Sequence, residues 1–116
     1  MSLVVVCQTP LHFLLAAILV REKSCKAFFV FIEESDVDEY FVKGVIDNVG
    51  EGLFRLPGSS LASGKLGRFI QKVRNIRALK ACPALQGVTE LLVFNDTTPE
   101  SQYLIDVVYK AHGSVF

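Results

Sequence analysis

The chain has 116 residues, 51% hydrophobic and 21% charged, which suits one well-packed core and is too short for two. Lys and Arg total 12 and Asp and Glu total 12, so no net charge draws the whole molecule to nucleic acid or to an anionic membrane. Three scattered cysteines (Cys7, Cys25, Cys82) make neither a disulfide framework nor a zinc knuckle and fit a reducing compartment, and two distant histidines (His12, His112) argue against a metal site.

Residues 3–20 are apolar, but Gln8, Thr9, Pro10 and His12 break the run. A spanning helix needs about 20 mostly apolar residues. A secretory signal wants a positive charge before its apolar stretch, and the first basic residue is Arg21. Leu3-Val4-Val5-Val6 instead predicts a short buried strand. Thr9 as N-cap and Pro10 as first helical residue then open a helix over about Leu11 to Lys23, apolar almost all round.

Ala27 to Ile32 reads as the second strand, ended by Glu33-Glu34-Ser35-Asp36. A helix follows over about Asp38 to Val49, and Leu53 to Leu56 is a weaker third strand closed by Pro57-Gly58. After a Ser/Gly-rich loop at Ser59 to Gly64, a helix runs from about Lys65 to Cys82. Leu66, Phe69, Ile70, Val73, Ile76 and Leu79 form its apolar stripe, and Pro83 ends it. Glu90 to Phe94 is the fourth strand, and Asn95-Asp96-Thr97-Thr98 is its turn. Thr98-Pro99-Glu100-Ser101 opens a last helix that ends near Ala111-His112-Gly113, and Ser114-Val115-Phe116 begins a fifth strand.

This order predicts an α/β fold: a Rossmann-like three-layer sandwich on a mostly parallel sheet of about five strands. A chain that stops as a strand begins reads as a single Rossmann-like N-terminal domain, residues 1–116, cut from a longer protein.

Ligands of open parallel sheets bind beyond the carboxyl ends of the strands, near the switch in strand order. Two polar turns qualify, Cys7-Gln8-Thr9-Pro10 and Asn95-Asp96-Thr97-Thr98, each leading into a helix N-terminus that favours anions. The candidate substrate-binding residues are therefore Gln8, Thr9, His12, Asn95, Thr97 and Thr98, and Asp96 is the candidate catalytic carboxylate. Each has a plainer role. Thr9 and Thr98 cap helices, Asp96 bonds its own turn, His12 is structural, and Cys7 is a small apolar filler. No dinucleotide fingerprint, P-loop or nucleophile elbow is present, and Gly64-Lys65-Leu66-Gly67-Arg68 matches no phosphate motif.

Charge is uneven along the chain. Residues 33–51 carry seven acids and one lysine, whereas residues 52–89 carry seven basic residues and no acid. That basic segment is either a solvated helix face or the wall of a groove for an anionic partner. Arg77 and Lys80 fall toward the apolar stripe, where they would reach past the core edge or pair with the acidic segment.

Val4-Val5-Val6-Cys7-Gln8-Thr9-Pro10-Leu11-His12 resembles the opening of bacterial sialyltransferases of the lipooligosaccharide type and of capsular polysialyltransferases: a short hydrophobic strand, a Cys-x-Thr-Pro turn and a Leu/Ala-rich helix. The close match covers about ten residues, and Phe94-Asn95-Asp96 is compatible with a later polar turn. The resemblance implies half of a GT-B architecture, with this chain on the acceptor side of the cleft. A C-terminal domain outside it would bind the donor, cytidine-monophosphate sialic acid, without a metal. The glycan acceptor would be lipooligosaccharide or capsule. Only Cys7, Thr9 and Pro10 carry over residue by residue, in a structural or cleft-lining role. Neither histidine precedes a proline, and Glu33-Glu34 is followed by Ser35 rather than glycine, so no family catalytic residue maps here.

Three readings compete. The first is the acceptor-side domain of an inverting glycosyltransferase, itself inactive alone, with Asp96 as base if the base lies in this half. The second is a stand-alone flavodoxin-like binding or signalling module. The third is a small hydrolase using Cys7 and His12. The first reading carries further expectations: no cofactor in this domain, no nucleic-acid partner, homodimerisation through an exposed interdomain face, and a cytoplasmic location with peripheral attachment to the inner membrane as its variant.

Overall fold

The computed structural model describes residues 3–23, 25–33, 37–58 and 64–116. The Glu34-Ser35-Asp36 segment and the Ser-rich stretch at 59–63 lie outside the described residues. In chain order the elements are β1 (Leu3–Cys7), α1 (Pro10–Glu22), β2 (Ala27–Glu33), α2 (Glu39–Val49), β3 (Gly50–Pro57), α3 (Gly64–Ala81), a single 3₁₀ turn at Pro83–Leu85, β4 (Glu90–Val93), α4 (Pro99–Lys110) and β5 (Ser114–Val115). The five strands form one sheet in the order β3-β2-β1-β4-β5, and every neighbouring pair is parallel. This is the Rossmann-like α/β sandwich expected, with a wholly parallel sheet. The flavodoxin-like order would place strand two outside strand one and strand three inside, and the chain does not do so.

The β-branched run of β1 explains its central place. A strand flanked on both edges and covered on both faces must be apolar at every position, and all five of its residues are buried. Alternation sends Leu3, Val5 and Cys7 into one core with Phe13, Ala16, Phe29, Phe31, Val42 and Val45. Val4 and Val6 point to the other, with Val30, Ile32, Leu79, Leu91, Leu104 and Val108. Right-handed crossovers put α1 and α2 on the first face and α3 and α4 on the second.

Parallel pairing along Ala27–Glu33 draws β3 out to Gly50–Pro57, longer than the Leu53 to Leu56 core of its sequence signal. Gly52 allows this, because a Cβ there would come within 3.0 Å of the Phe28 ring.

The larger difference lies in α3. Leu66, Phe69, Ile70 and Val73, expected to be its core stripe, are exposed. The helix turns Asn75 and Leu79 inward instead. Arg77 and Lys80 are exposed, and the acidic segment is bridged by Arg55, which pairs with Glu33 and Glu39. Among the described residues no helix is long and apolar enough to cross a membrane.

Candidate functional site at the switch in strand order

The chain leaves β1 toward one face of the sheet and β4 toward the other, so the ends of these two strands mark the position where open parallel sheets form their binding crevice. Both sequence-predicted turns lie there. On the β1 side Thr9 is extended and caps α1, its Oγ1 accepting from the His12 amide at 3.2 Å. Proline at the next position costs nothing, since that amide has no helical partner.

One turn into α1, His12 folds back over the strand end. Its Nδ1 accepts a hydrogen bond from the Gln8 amide at 3.0 Å. Its ring stacks on Phe94 beyond β4, with centroids 4.7 Å apart and planes inclined by 10°. Burial lowers the His12 pKa below its ordinary value of 6.5. No acidic residue stands in the first turn of α1 to offset this. The imidazole is therefore neutral at pH 7. With Nδ1 engaged as acceptor, its proton sits on Nε2. His12 thus presents an N–H donor at the crevice and has no free lone pair with which to act as a base.

On the β4 side, Asn95 Oδ1 accepts from the Thr97 amide at 3.0 Å and from Thr97 Oγ1 at 2.6 Å, an Asx turn that fixes the loop. Thr98 Oγ1 accepts from the Ser101 amide at 3.2 Å and caps α4. Asp96 is exposed at the tip. It borders an open hollow of about 490 Å³ with Phe94, Ile105, Tyr109 and Val115. Phe94 is the shared wall, carrying His12 on one side and bordering the Asp96 hollow on the other. Among the described residues no hydrogen bond or ion pair joins Asp96 to His12.

The fold therefore brings Gln8, Thr9 and His12 into one unit and ties it to the β4 end through Phe94. Asn95, Thr97 and Thr98 serve the turn and cap, and Asp96 remains a carboxylate at the crevice rim.

Cys7 ends β1 fully buried, and burial pushes its thiol far above its ordinary pKa. A neutral thiol enclosed in the apolar core, with the His12 Nδ1 already taken by the Gln8 amide, does not make a nucleophile, so the hydrolase reading falls.

A second polar group, which sequence reasoning missed, lies at the same end of the sheet on the opposite face. Asn75 of α3 and Glu100 of α4 are only 1% and 3% exposed. Asn75 Nδ2 donates to Glu100 Oε1 at 2.9 Å and to the Pro57 carbonyl at the end of β3 at 2.8 Å. Its Oδ1 accepts from Gln71 Nε2 at 2.9 Å. Asn75 falls on the side of α3 away from the apolar stripe, the side a sequence reader gives to solvent. Glu100 reads as an ordinary first-turn acid. Only the observation that this stripe faces outward would have exposed both.

Among the described residues no cluster of three or more His, Cys, Asp or Glu could hold a metal ion. Compared with known proteins, the chain matches no family model, no curated protein and no solved structure.

Proposed function

We propose that this chain is the acceptor-side domain of a sialyltransferase-like glycosyltransferase that acts on cell-surface glycans such as lipooligosaccharide or capsule. The observation that carries the reading is the placement of the Cys7-Gln8-Thr9-Pro10 turn. The segment that resembles those enzymes ends β1 at the switch in strand order, and it fixes His12 as a neutral donor against Phe94. The Rossmann-like strand order supports it, since the resemblance implies an architecture of two Rossmann-like domains.

In this reading the donor, cytidine-monophosphate sialic acid, binds a second domain across the crevice. His12 Nε2–H donates to a ring or hydroxyl oxygen of the acceptor and orients it. The base that takes the proton from the attacking hydroxyl is a carboxylate, because His12 has no lone pair to offer. Asp96 is the candidate on this side. The hydroxyl oxygen bonds to the anomeric carbon as cytidine monophosphate leaves, with inversion.

Amide and imidazole NMR of the chain titrated with lipooligosaccharide-derived oligosaccharide tests the assignment. Shifts of Gln8, His12 and Phe94 that saturate, and that are absent with cytidine-monophosphate sialic acid, are expected. Unmoved signals at millimolar oligosaccharide, or shifts confined to other surfaces, would overturn it.

A further inference from the structure

The outward face of α3 joins two features that a solvated helix does not combine. Leu66, Phe69, Ile70 and Val73, at i, i+3, i+4 and i+7, form an apolar stripe aimed away from the core, with Leu66 72% and Phe69 63% exposed. The same helix has basic residues and no acid. Spacing places Lys65 and Lys72 along one edge of the stripe, places Arg74 along the other, and lets Arg77 and Lys80 continue it toward the C-terminus. Among the described residues none of these cations is in a salt bridge. Lys72, Arg77 and Lys80 also surround a shallow hollow of about 460 Å³ floored by Phe69, Val73 and Ile76.

We infer that the outward face of α3 is an interfacial anchor that lays this domain on an anionic lipid bilayer. The occupant follows from chemistry on both counts. The stripe needs an apolar phase at shallow depth, and the basic rim needs a surface of negative charge around it. Lys and Arg stems are long enough to stay at headgroup level while Leu66 and Phe69 enter the acyl boundary. A protein groove would satisfy the stripe but would not call for uncompensated cations on both edges and at the C-terminal end.

The fold strengthens the pull. The described acids of residues 37–51 lie on and beside α2, which packs on the opposite face of the sheet from α3. The basic helix and the acidic helix of a chain with no net charge thus lie on opposite faces of the sheet, and an anionic surface favours the orientation with α3 down. This inference does not depend on the glycan reading.

The chain contains no tryptophan, so Phe69→Trp installs a single interfacial probe at an exposed position. Its emission is read against phosphatidylcholine vesicles with and without 30% phosphatidylglycerol, at low and at raised salt, in parallel with vesicle flotation of the unmodified chain. A blue shift and flotation with the anionic vesicles only, reversed by salt, are expected. Lys72→Glu with Arg77→Glu weakens binding by about tenfold or more, at roughly fivefold per basic residue. Leu66→Ser with Phe69→Ser does so at least as strongly while leaving the far-UV spectrum and melting intact, because neither side chain is in the core. Three results would each overturn the inference: no flotation with anionic vesicles at low salt, equal binding to neutral vesicles, or Phe69→Trp emission that shifts with protein concentration and not with lipid. The last would assign the stripe to contact between copies.

Discussion

Replacing Asn75 by alanine tests the buried polar group where α3, α4 and the end of β3 meet. The change leaves a side-chain-sized gap and removes the donor to Pro57 O at 2.8 Å and the donor to Glu100 Oε1 at 2.9 Å. Because Asn75 and Glu100 are 1% and 3% exposed, water does not readily replace either bond. An ordinary hydrogen bond contributes about 1 kcal/mol and one to a charged group about 1.5–3 kcal/mol. The loss is therefore about 3 kcal/mol. With an unfolding entropy of about 2.1 cal/mol/K per residue over 116 residues, that lowers Tm by about 12 °C. Thermal melts and urea titrations of the variant read it directly. Asn75→Asp, which sets a second carboxyl against Glu100, is expected to lose more. Glu100→Gln in the Asn75→Ala background should cost less than it does alone, since the partner is already gone. A loss below about 1 kcal/mol for Asn75→Ala, with no coupling to Glu100, would refute the argument that this group is dry and mutually dependent.

Other expectations follow from single environments. Cys7 is enclosed with a neutral thiol, so iodoacetamide at neutral pH should modify Cys25 and Cys82 in the native chain and reach Cys7 only in denaturant; early labelling of Cys7 would restore its candidacy as a nucleophile. Burial holds the His12 pKa below 6.5, so as pH falls the unfolded chain takes up this proton first. The stability from His12 is therefore complete above about 6.5 and is lost as pH drops through that value. Urea midpoints at pH 7.5 and 5.5 should show this slope in the parent chain and a shallower one in His12→Gln, and equal slopes would contradict it. Gly113→Ala places a Cβ 2.3 Å from the Thr89 carbonyl and 2.7 Å from Val108 Cγ1, at the tight turn into β5; it should destabilise by about 2 kcal/mol or more. Gly44→Ala, in mid-helix with nothing within 4 Å, should stabilise by about 0.5–1 kcal/mol. A melt series covers both, and a reversal of their order would show that local space does not govern them.

Much of the architecture was legible because it rests on local rules. A β-branched run with no polar position, as in Leu3 to Cys7, has only one comfortable place in a protein, the middle of a parallel sheet. Thr-Pro pairs at 9–10 and 98–99 mark helix starts because a hydroxyl and a missing amide solve the same end problem. The alternation of strands with helices then leaves few topologies open, and the two crevice turns follow from it. His12 was legible as a residue near the β1 turn. Its tautomer and ring position were not, because the Gln8 amide that sets the first comes from a loop conformation and the Phe94 ring that holds the second lies just past β4, more than 80 residues away.

The sequence by itself determined the strand and helix order, the caps, the buried centre of the sheet and the absence of the common nucleotide-binding motifs. Those depend on residues close together along the chain. The direction in which α3 presents its two sides was decided by tertiary structure alone. An apolar stripe at helical spacing says that one side is greasy, not what it meets. Here Asn75 gains a carbonyl and a carboxyl partner by facing inward, and the side with Leu66 and Phe69 is left to the outside. Periodicity measures the contrast between two faces of a helix. Which face is buried depends on partners that only the folded sheet assembles.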